Sequence, residues 1–441
     1  MASTARPLPV PPRARWLRDA RLGLFCHFGL YSTLGQGEWA MNRNGIDPGE
    51  YEKLADRFTA RRFDADALAQ LAVDLGAHYL VFTTKHHEGF CLFDSKLTDY
   101  TAAQRGPRRD LVREVVTAAR RRKLRVGLYY SLNDWRHNPS GLDALEDYDP
   151  KTHRGGPRYR AYIAYIHGQV RELLTNYGRI DTLWYDGWWP FDARGWQARR
   201  MNAMARQLQP HILVNNRNGL PGDFATPEQH LTEAPGRISE FCITLNDNWG
   251  FHAGDQNWKS PRQVVDMVIK ATRVSGSLLL NVGPDGLGAI PRPSVDILRA
   301  AGRWVQRHED ALRPTKRSPQ PSVAPRLDWN HHCAQGAITA KPGRTFLHIT
   351  SWPGPELVLR GVRGKVTAAR LLTTGEPVKF TRHGDRLVLG GMPQRAPDPI
   401  ASVIELRHAG PLSSYLTGGL RTPRGPHPQY DPVAPNMIEK P

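Results

Sequence analysis

The chain has four cysteines in 441 residues, and no two of them form a C-x-x-C pair. Cys26, Cys91, Cys242 and Cys333 are far apart and mostly flanked by apolar or aromatic residues, the setting of reduced structural thiols rather than a disulfide framework. No apolar stretch approaches the ~20 residues that a membrane helix needs. The opening MASTARPLPVPPRARW lacks the apolar core of a signal peptide, so a cytoplasmic location with no membrane partner is the expectation. There is no G-x-G-x-x-G turn for a dinucleotide and no H-E-x-x-H for zinc.

Acidic residues are also in short supply, 42 against 60 Lys and Arg, for a formal charge of +18. Such a surface can attract polyanions. The densest basic run, RGPRRDLVREVVTAARRRKLR, nevertheless carries Leu111, Val112, Val115, Val116 and Ala119 at helical spacing behind Asp110 as an N-cap. Its arginines read as the solvated face of an amphipathic helix, and no nucleic-acid partner is expected. What the chain has in quantity is aromatic, with 12 Trp and 14 Tyr, a composition suited to ring-shaped ligands.

From residue 20 to about 310, strand-like and helix-like segments alternate, the pattern of β-α units and a parallel sheet. The helical FDADALAQLAVDLG, with Leu68, Leu71, Ala72 and Leu75 on one face, ends at Gly76 before the apolar run Tyr79 to Thr84. RLGLFCHFG, RVGLYYS, IDTLWYDG, ILVNN, EFCITL and LLLNV complete seven visible strands. The expected fold is a (β/α)8-like barrel over residues 15–312, after an extension of residues 1–14. Residues 313–325, with four prolines, read as a linker. Short β-rich segments over 326–408 predict a C-terminal antiparallel β-sandwich, and 409–441 a Pro- and Gly-rich tail.

Barrel chemistry gathers at the C-terminal ends of the strands. Those ends read His27; His86, His87 and Glu88; Tyr129 and Tyr130; Trp184 and Asp186; Asn216 and Arg217. His, Tyr, Trp, Arg and carboxylates without phosphate-cradling glycines suit a neutral polyhydroxylated ligand. A metal is disfavoured, because adjacent strand residues such as His86 and His87 point to opposite faces. Glycoside cleavage needs two carboxyl groups. Asp186 ends an apolar strand and precedes Gly187, Trp188 and Trp189, which makes it the nucleophile candidate. Its partner is open among Glu38, Glu88, Asp223, Glu228 and Glu240, with Glu228 of DFATPEQH favoured as a loop-borne acid.

From about Arg15 to residue 407 the chain resembles the α-L-fucosidases of glycoside hydrolase family 29. The motifs RLGLFCHFGLYSTLGQGEW, TTKHHEGFCLFDS, GLYYSLNDW, LWYDG, VNNRNG, GDFATPEQH and LLLNVGPDGLGAIP fall in the family's order. The resemblance implies an exo-acting retaining enzyme, with Asp186 as nucleophile and Glu228 as general acid/base. It also implies a fucose pocket of His27, Glu38, Trp39, His86, His87, Tyr129, Trp184, Arg217 and Trp249. It calls for no metal and no organic cofactor, and its partners would be fucosylated glycans or small α-L-fucosides. Phe28 stands where the family commonly has Trp, and Glu88 where it often has Asp. The competing expectations are a glycan-binding protein that has lost catalysis and a basic polyanion binder.

Overall fold

The computed structural model describes residues 10–232, 234, 237–313, 336–359, 362–384 and 386–414. Two compact units emerge, one from Val10–Val264 with Gly276–Gln306, the other from Val265–Ser275 and the chain from Arg307 onward.

The first unit is built on eight strands: β1 (Leu22–Cys26), β2 (Tyr79–Lys85), β3 (Arg125–Ser131), β4 (Thr182–Asp186), β5 (Leu213–Val214), β6 (Phe224–Ala225), β7 (Ile238–Thr244) and β8 (Ser277–Val282). Nearly every strand residue is buried, as expected of strands covered on both faces. Neighbours pair in parallel in the order β5-β4-β3-β2-β1-β8-β7-β6. The ring closes where Asn215 bridges Phe224 and Asp223 N donates to Val214 O at 2.7 Å. β6, the strand absent from the sequence reading, is two residues long, too short to show a period.

The intervening helices follow their sequence signals. Ala65–Leu75 is capped by the Asp64 carboxylate, which accepts from Ala67 N at 3.0 Å, and stops at left-handed Gly76. Leu111–Arg121 is capped likewise by Asp110 and buries Leu111, Val112, Val115, Val116, Ala118 and Ala119. Its basic face is less free than the sequence suggested. Arg121 and Arg122 both pair with Asp66, Arg113 pairs with Asp110, and Arg120 donates to the carbonyls of Tyr177 and Arg179.

Two boundaries differ from the expectation. Ala14 and Leu17 are fully buried beneath the barrel with Tyr79, Val81 and Leu279, so the extension of residues 1–14 gives way to barrel structure from Val10. At the other end, the last strand runs Ser402–Ser414, beyond residue 408. The expected linker lies outside the described residues except for Arg313, as does the tail from 415.

The C-terminal unit stacks two antiparallel sheets. One holds β9 (Gly336–Lys341), β10 (Arg344–Ile349), β15 (Ser402–Ser414) and β12 (Val362–Leu371), and the other β11 (Glu356–Leu359), β14 (Arg386–Gly390) and β13 (Lys379–His383). Ile338, Leu347 and Ile404 from the first meet Leu357, Leu359, Leu387 and Leu389 from the second in one core. GAITAK, which forms β9, carries a weak strand signal in the sequence. Cys26, Cys91 and Cys242 are buried and free, while Cys333 lies outside the described residues.

Candidate active site

The nine pocket residues and the two catalytic carboxylates implied by the resemblance all line one cavity at the C-terminal mouth of the barrel. It has about 460 Å³ of empty space, and Phe25 and Trp189 complete its wall. The positions follow from the strands: His27 comes just after β1, His86 and His87 just after β2, and Tyr129 lies within β3. Trp184 and Asp186 belong to β4, while Arg217, Glu228 and Trp249 lie on the loops after β5, β6 and β7. Glu38 and Trp39 come from the long β1 loop, where Glu38 Oε2 accepts from Gly250 N at 2.8 Å. Trp39 stacks on Trp189 with centroids 5.7 Å apart.

Asp186 is held from both sides. Tyr129 donates its hydroxyl to Oδ2 at 2.9 Å, and Arg217 Nη1 donates to Oδ1 at 3.1 Å. Burial alone would raise its pKa. The Arg217 charge, the largest opposing influence, and the Tyr129 hydrogen bond outweigh that and hold it at about 2, so the carboxylate is an anion. For Tyr129 the same pairing acts the other way: burial and the adjacent anion push its hydroxyl well above the usual phenol range.

Arg217 also joins the second carboxylate to the first. Its Nη2 donates to Glu228 Oε2 at 2.7 Å, and its Nε donates to Thr226 Oγ1 at 2.9 Å. The guanidinium lies 4.8 Å from the centroid of the Trp184 ring. Trp249 Nε1 donates to the remaining Glu228 oxygen at 3.0 Å. The exposures of the two carboxylates divide their capabilities: the Asp186 side chain is 13% exposed, that of Glu228 41%. A sheltered anion can attack, and a solvent-reaching carboxyl can exchange protons.

The histidine tautomers follow from what stands behind each ring. Asn281 donates its amide to Trp249 O at 2.7 Å, which turns its Oδ1 toward His27 Nδ1, also at 2.7 Å. Ser131 donates to Asn133 O at 2.6 Å, so its Oγ accepts from His87 Nδ1 at 2.6 Å. In both rings the proton sits on Nδ1 and Nε2 is bare. Burial, followed by repulsion from His86, pulls His27 down to about 3, and the same two causes push His87 well below its usual value, so both rings are neutral. The expectation that strand alternation separates His86 from His87 is corrected: β2 ends at Lys85 with a register shift after Thr83, and the two rings lie 4.0 Å apart, both on the cavity.

The other carboxylates considered from the sequence have different surroundings. Asp223 is tied to Arg13, Arg206 and the backbone N of Val214. Glu240 lies within β7, not at the rim, where it accepts from Tyr79 Oη and Trp184 Nε1, each at 2.8 Å. Glu88 is buried against His86. Among the described residues no cluster of three or more His, Cys, Asp or Glu is arranged to hold a metal ion. Phe25 escaped notice because a buried strand aromatic carries no signal that separates cavity floor from core.

A parallel barrel that sets a buried anionic carboxylate and a solvent-reaching one into an aromatic-walled cavity is the architecture of a glycoside hydrolase. The profile of the α-L-fucosidase family matches residues 3–310. The chain belongs to this family, glycoside hydrolase family 29. Its fold is similar to α-L-fucosidase isoenzyme 1 from Paenibacillus thiaminolyticus, at 36% identity over 90% of this chain and 99% of that one, with a TM-score of 0.81. A trapped covalent intermediate of a family 29 α-L-fucosidase from Bacteroides thetaiotaomicron, in complex with 2-fluoro-fucosyl fluoride, is 26% identical over 92% of this chain and 98% of that one, with a TM-score of 0.78. In sequence, a Caenorhabditis elegans protein described as a putative alpha-L-fucosidase is 30% identical over 346 residues, 70% of this chain and 68% of that protein.

Proposed function

We propose that the chain is an exo-acting retaining α-L-fucosidase in which Asp186 is the nucleophile and Glu228 the general acid/base. The observation that carries this reading is the single guanidinium of Arg217 on both carboxylates, the sheltered Asp186 at 3.1 Å and the exposed Glu228 at 2.7 Å.

In the first step an Asp186 oxygen bonds to the anomeric carbon of a terminal α-L-fucoside while protonated Glu228 gives its proton to the departing glycosidic oxygen. In the second, Glu228, now a carboxylate, takes a proton from water as that water attacks the same carbon, and the Asp186 ester breaks. Two inversions give net retention. Esterification cancels the charge on Asp186, so the Arg217 and Tyr129 hydrogen bonds weaken in the intermediate and strengthen again as the carboxylate leaves. Glu228 needs one oxygen free of its two present donors to reach the leaving group, and its exposure supplies the protons it turns over. Bare Nε2 atoms on His27 and His87 are acceptors for sugar hydroxyls, and the Trp and Phe faces cover the apolar face and methyl group of the deoxysugar.

Neither competing reading gains an observation of its own. A non-catalytic glycan binder has no use for an anionic Asp186 shielded by Arg217, and the basic helix of the polyanion reading has its arginines engaged with Asp66, Asp110 and carbonyl groups. The test is hydrolysis of a chromogenic α-L-fucoside, with NMR of the first-formed sugar, followed by peptide mapping after inactivation with 2-fluoro-fucosyl fluoride. α-Fucose and a label on Asp186 are expected. Initial β-fucose, or a label on another side chain, overturns the assignment.

A further inference from the structure

His86 is the one pocket histidine whose tautomer the hydrogen bonds so far leave open. Its Nδ1 has no hydrogen-bond partner, and neither has either oxygen of Glu88, although all three atoms are buried. They face one another: His86 Nδ1 lies 3.6 Å from Glu88 Oε2, with the side chains 3% and 1% exposed. A buried carboxylate without a donor is costly, and so is a buried ring nitrogen without a partner, so each supplies what the other needs. At 3.6 Å the pair is beyond hydrogen-bond length, a separation of the kind that tightens when a pocket fills.

The backbone is shaped to admit this carboxylate. A methyl group on Gly29 would lie 2.7 Å from Glu88 Oε1 and 2.5 Å from the Tyr31 ring, so only glycine leaves room for Glu88 to reach in beside His86. Gly29 follows His27 and Phe28 at the end of β1, which places the clearance next to the pocket.

We propose that Glu88 is a positioning residue for His86: its carboxylate accepts a hydrogen bond from Nδ1–H, so that His86 presents a bare Nε2 to the cavity as an acceptor for a sugar hydroxyl. The three pocket histidines then share one arrangement, with Asn281 behind His27, Ser131 behind His87 and Glu88 behind His86. A carboxylate oxygen accepts from an N–H, and a ring that gives its Nδ1–H to that bond has Nε2 left to accept in turn. Its consequence is substrate choice, since a ring fixed as an acceptor selects a hydroxyl at that position over a group with no proton to give.

The inference rests on the fucosidase reading for its kinetic arm alone. The structural arm is ¹⁵N NMR of the full chain labelled at histidine, with His86 assigned by its loss in His86→Gln. A protonated Nδ1 and an unprotonated Nε2 are expected in the wild type, and Glu88→Gln should move the proton to Nε2 or mix the two forms. In kinetics, Glu88→Gln should raise KM for an α-L-fucoside by about tenfold with little change in kcat, because the hydroxyl contact is made in ground and transition states alike. Glu88→Asp should recover part of that loss. A wild-type His86 protonated on Nε2 overturns the proposal without any variant having to fold, and so does a folded Glu88→Gln with unchanged tautomer and KM. If the NMR is as expected but the wild type does not cleave α-L-fucosides, Glu88 keeps its role and the proposed function falls.

Discussion

Arg217 donates to Asp186 at 3.1 Å, and of the influences that hold this carboxylate at about 2 the guanidinium charge is the largest. Asp186 is therefore ionised at any pH well above 2, and the acid limb of the wild-type pH-rate profile belongs to another group. Arg217→Met removes the charge and leaves burial, which raises the carboxyl. The acid limb of kcat/KM should then move upward by at least about one pH unit, with kcat/KM down by roughly 10³-fold at its optimum. Arg217→Lys keeps a charge but not the paired donors, and should fall between the two. The sign for stability is the same: a depressed carboxyl contributes above its unfolded value near ~3.9 and loses that contribution as pH falls through about 2. A pH-rate series on the three proteins decides the matter. An acid limb unmoved in Arg217→Met means that Asp186 is not the group held by Arg217.

Glu228 and Asp186 are separable by leaving group and by azide. Glu228→Ala should cost about 10²- to 10⁴-fold on a fucoside with a poor leaving group, and little in the first step on one with a good leaving group. Azide should speed that variant by taking the fucosyl group from the Asp186 ester, giving α-L-fucosyl azide with configuration retained. Asp186→Ala should lose about 10⁴-fold or more on either substrate, and azide should give the inverted β-azide by direct attack. The configuration of the isolated azide is the measurement. The same anomer from both variants contradicts the division of roles.

Gly187, directly after Asp186, adopts φ +69°, and a methyl group there would lie 2.7 Å from Ser131 Oγ and from Asn133 Cβ. Ser131 is the residue that holds His87, so the substitution strains the turn beside the carboxylate and pushes on a pocket histidine at once. Gly187→Ala should cost about 1–3 kcal/mol of stability and lower kcat by about tenfold or more. Thermal melts and steady-state kinetics on the same preparation check both. A variant as active and as stable as the wild type would show that this turn relaxes freely.

Legibility in the sequence followed the length of each signal. Strands of five to seven buried residues, such as Tyr79–Lys85 and Arg125–Ser131, stand out, and they fixed which residues reach the rim. Phe224–Ala225 did not stand out because two residues carry no period, although the segment around it holds Glu228. Alternation failed at His86 and His87, where regular pairing has already ended. Depth along a strand was the other blind spot: Glu240 was kept among the candidate partners of Asp186, but it lies in the middle of Ile238–Thr244 and accepts from Trp184 Nε1. The identity of the nucleophile candidate was readable because a carboxylate at the end of an apolar strand, followed by Gly-Trp-Trp, has few other uses. The Arg217 link between the two carboxylates was not, since it depends on loops whose paths the sequence does not encode locally.

Glu240 gives the last prediction. Burial raises its pKa to about 7, against the hydrogen bonds from Tyr79 and Trp184, which favour the anion and only partly offset that cost. A carboxyl whose folded value lies above its unfolded one, near ~4.3, binds more protons in the folded protein, so folding loses stability as pH rises between those two values. Glu240→Gln has no charge to desolvate and no such slope. Relative to the wild type it should gain stability as pH is raised from 4.5 to 7.5, by about 3 kcal/mol across the window, whatever its fixed cost from presenting an amide N–H to one of two donors. Denaturant melts of both proteins at several pH values measure the difference. Parallel stability curves would mean that Glu240 titrates near its ordinary value despite its burial, and that the Tyr79 and Trp184 hydrogen bonds fully repay the loss of water.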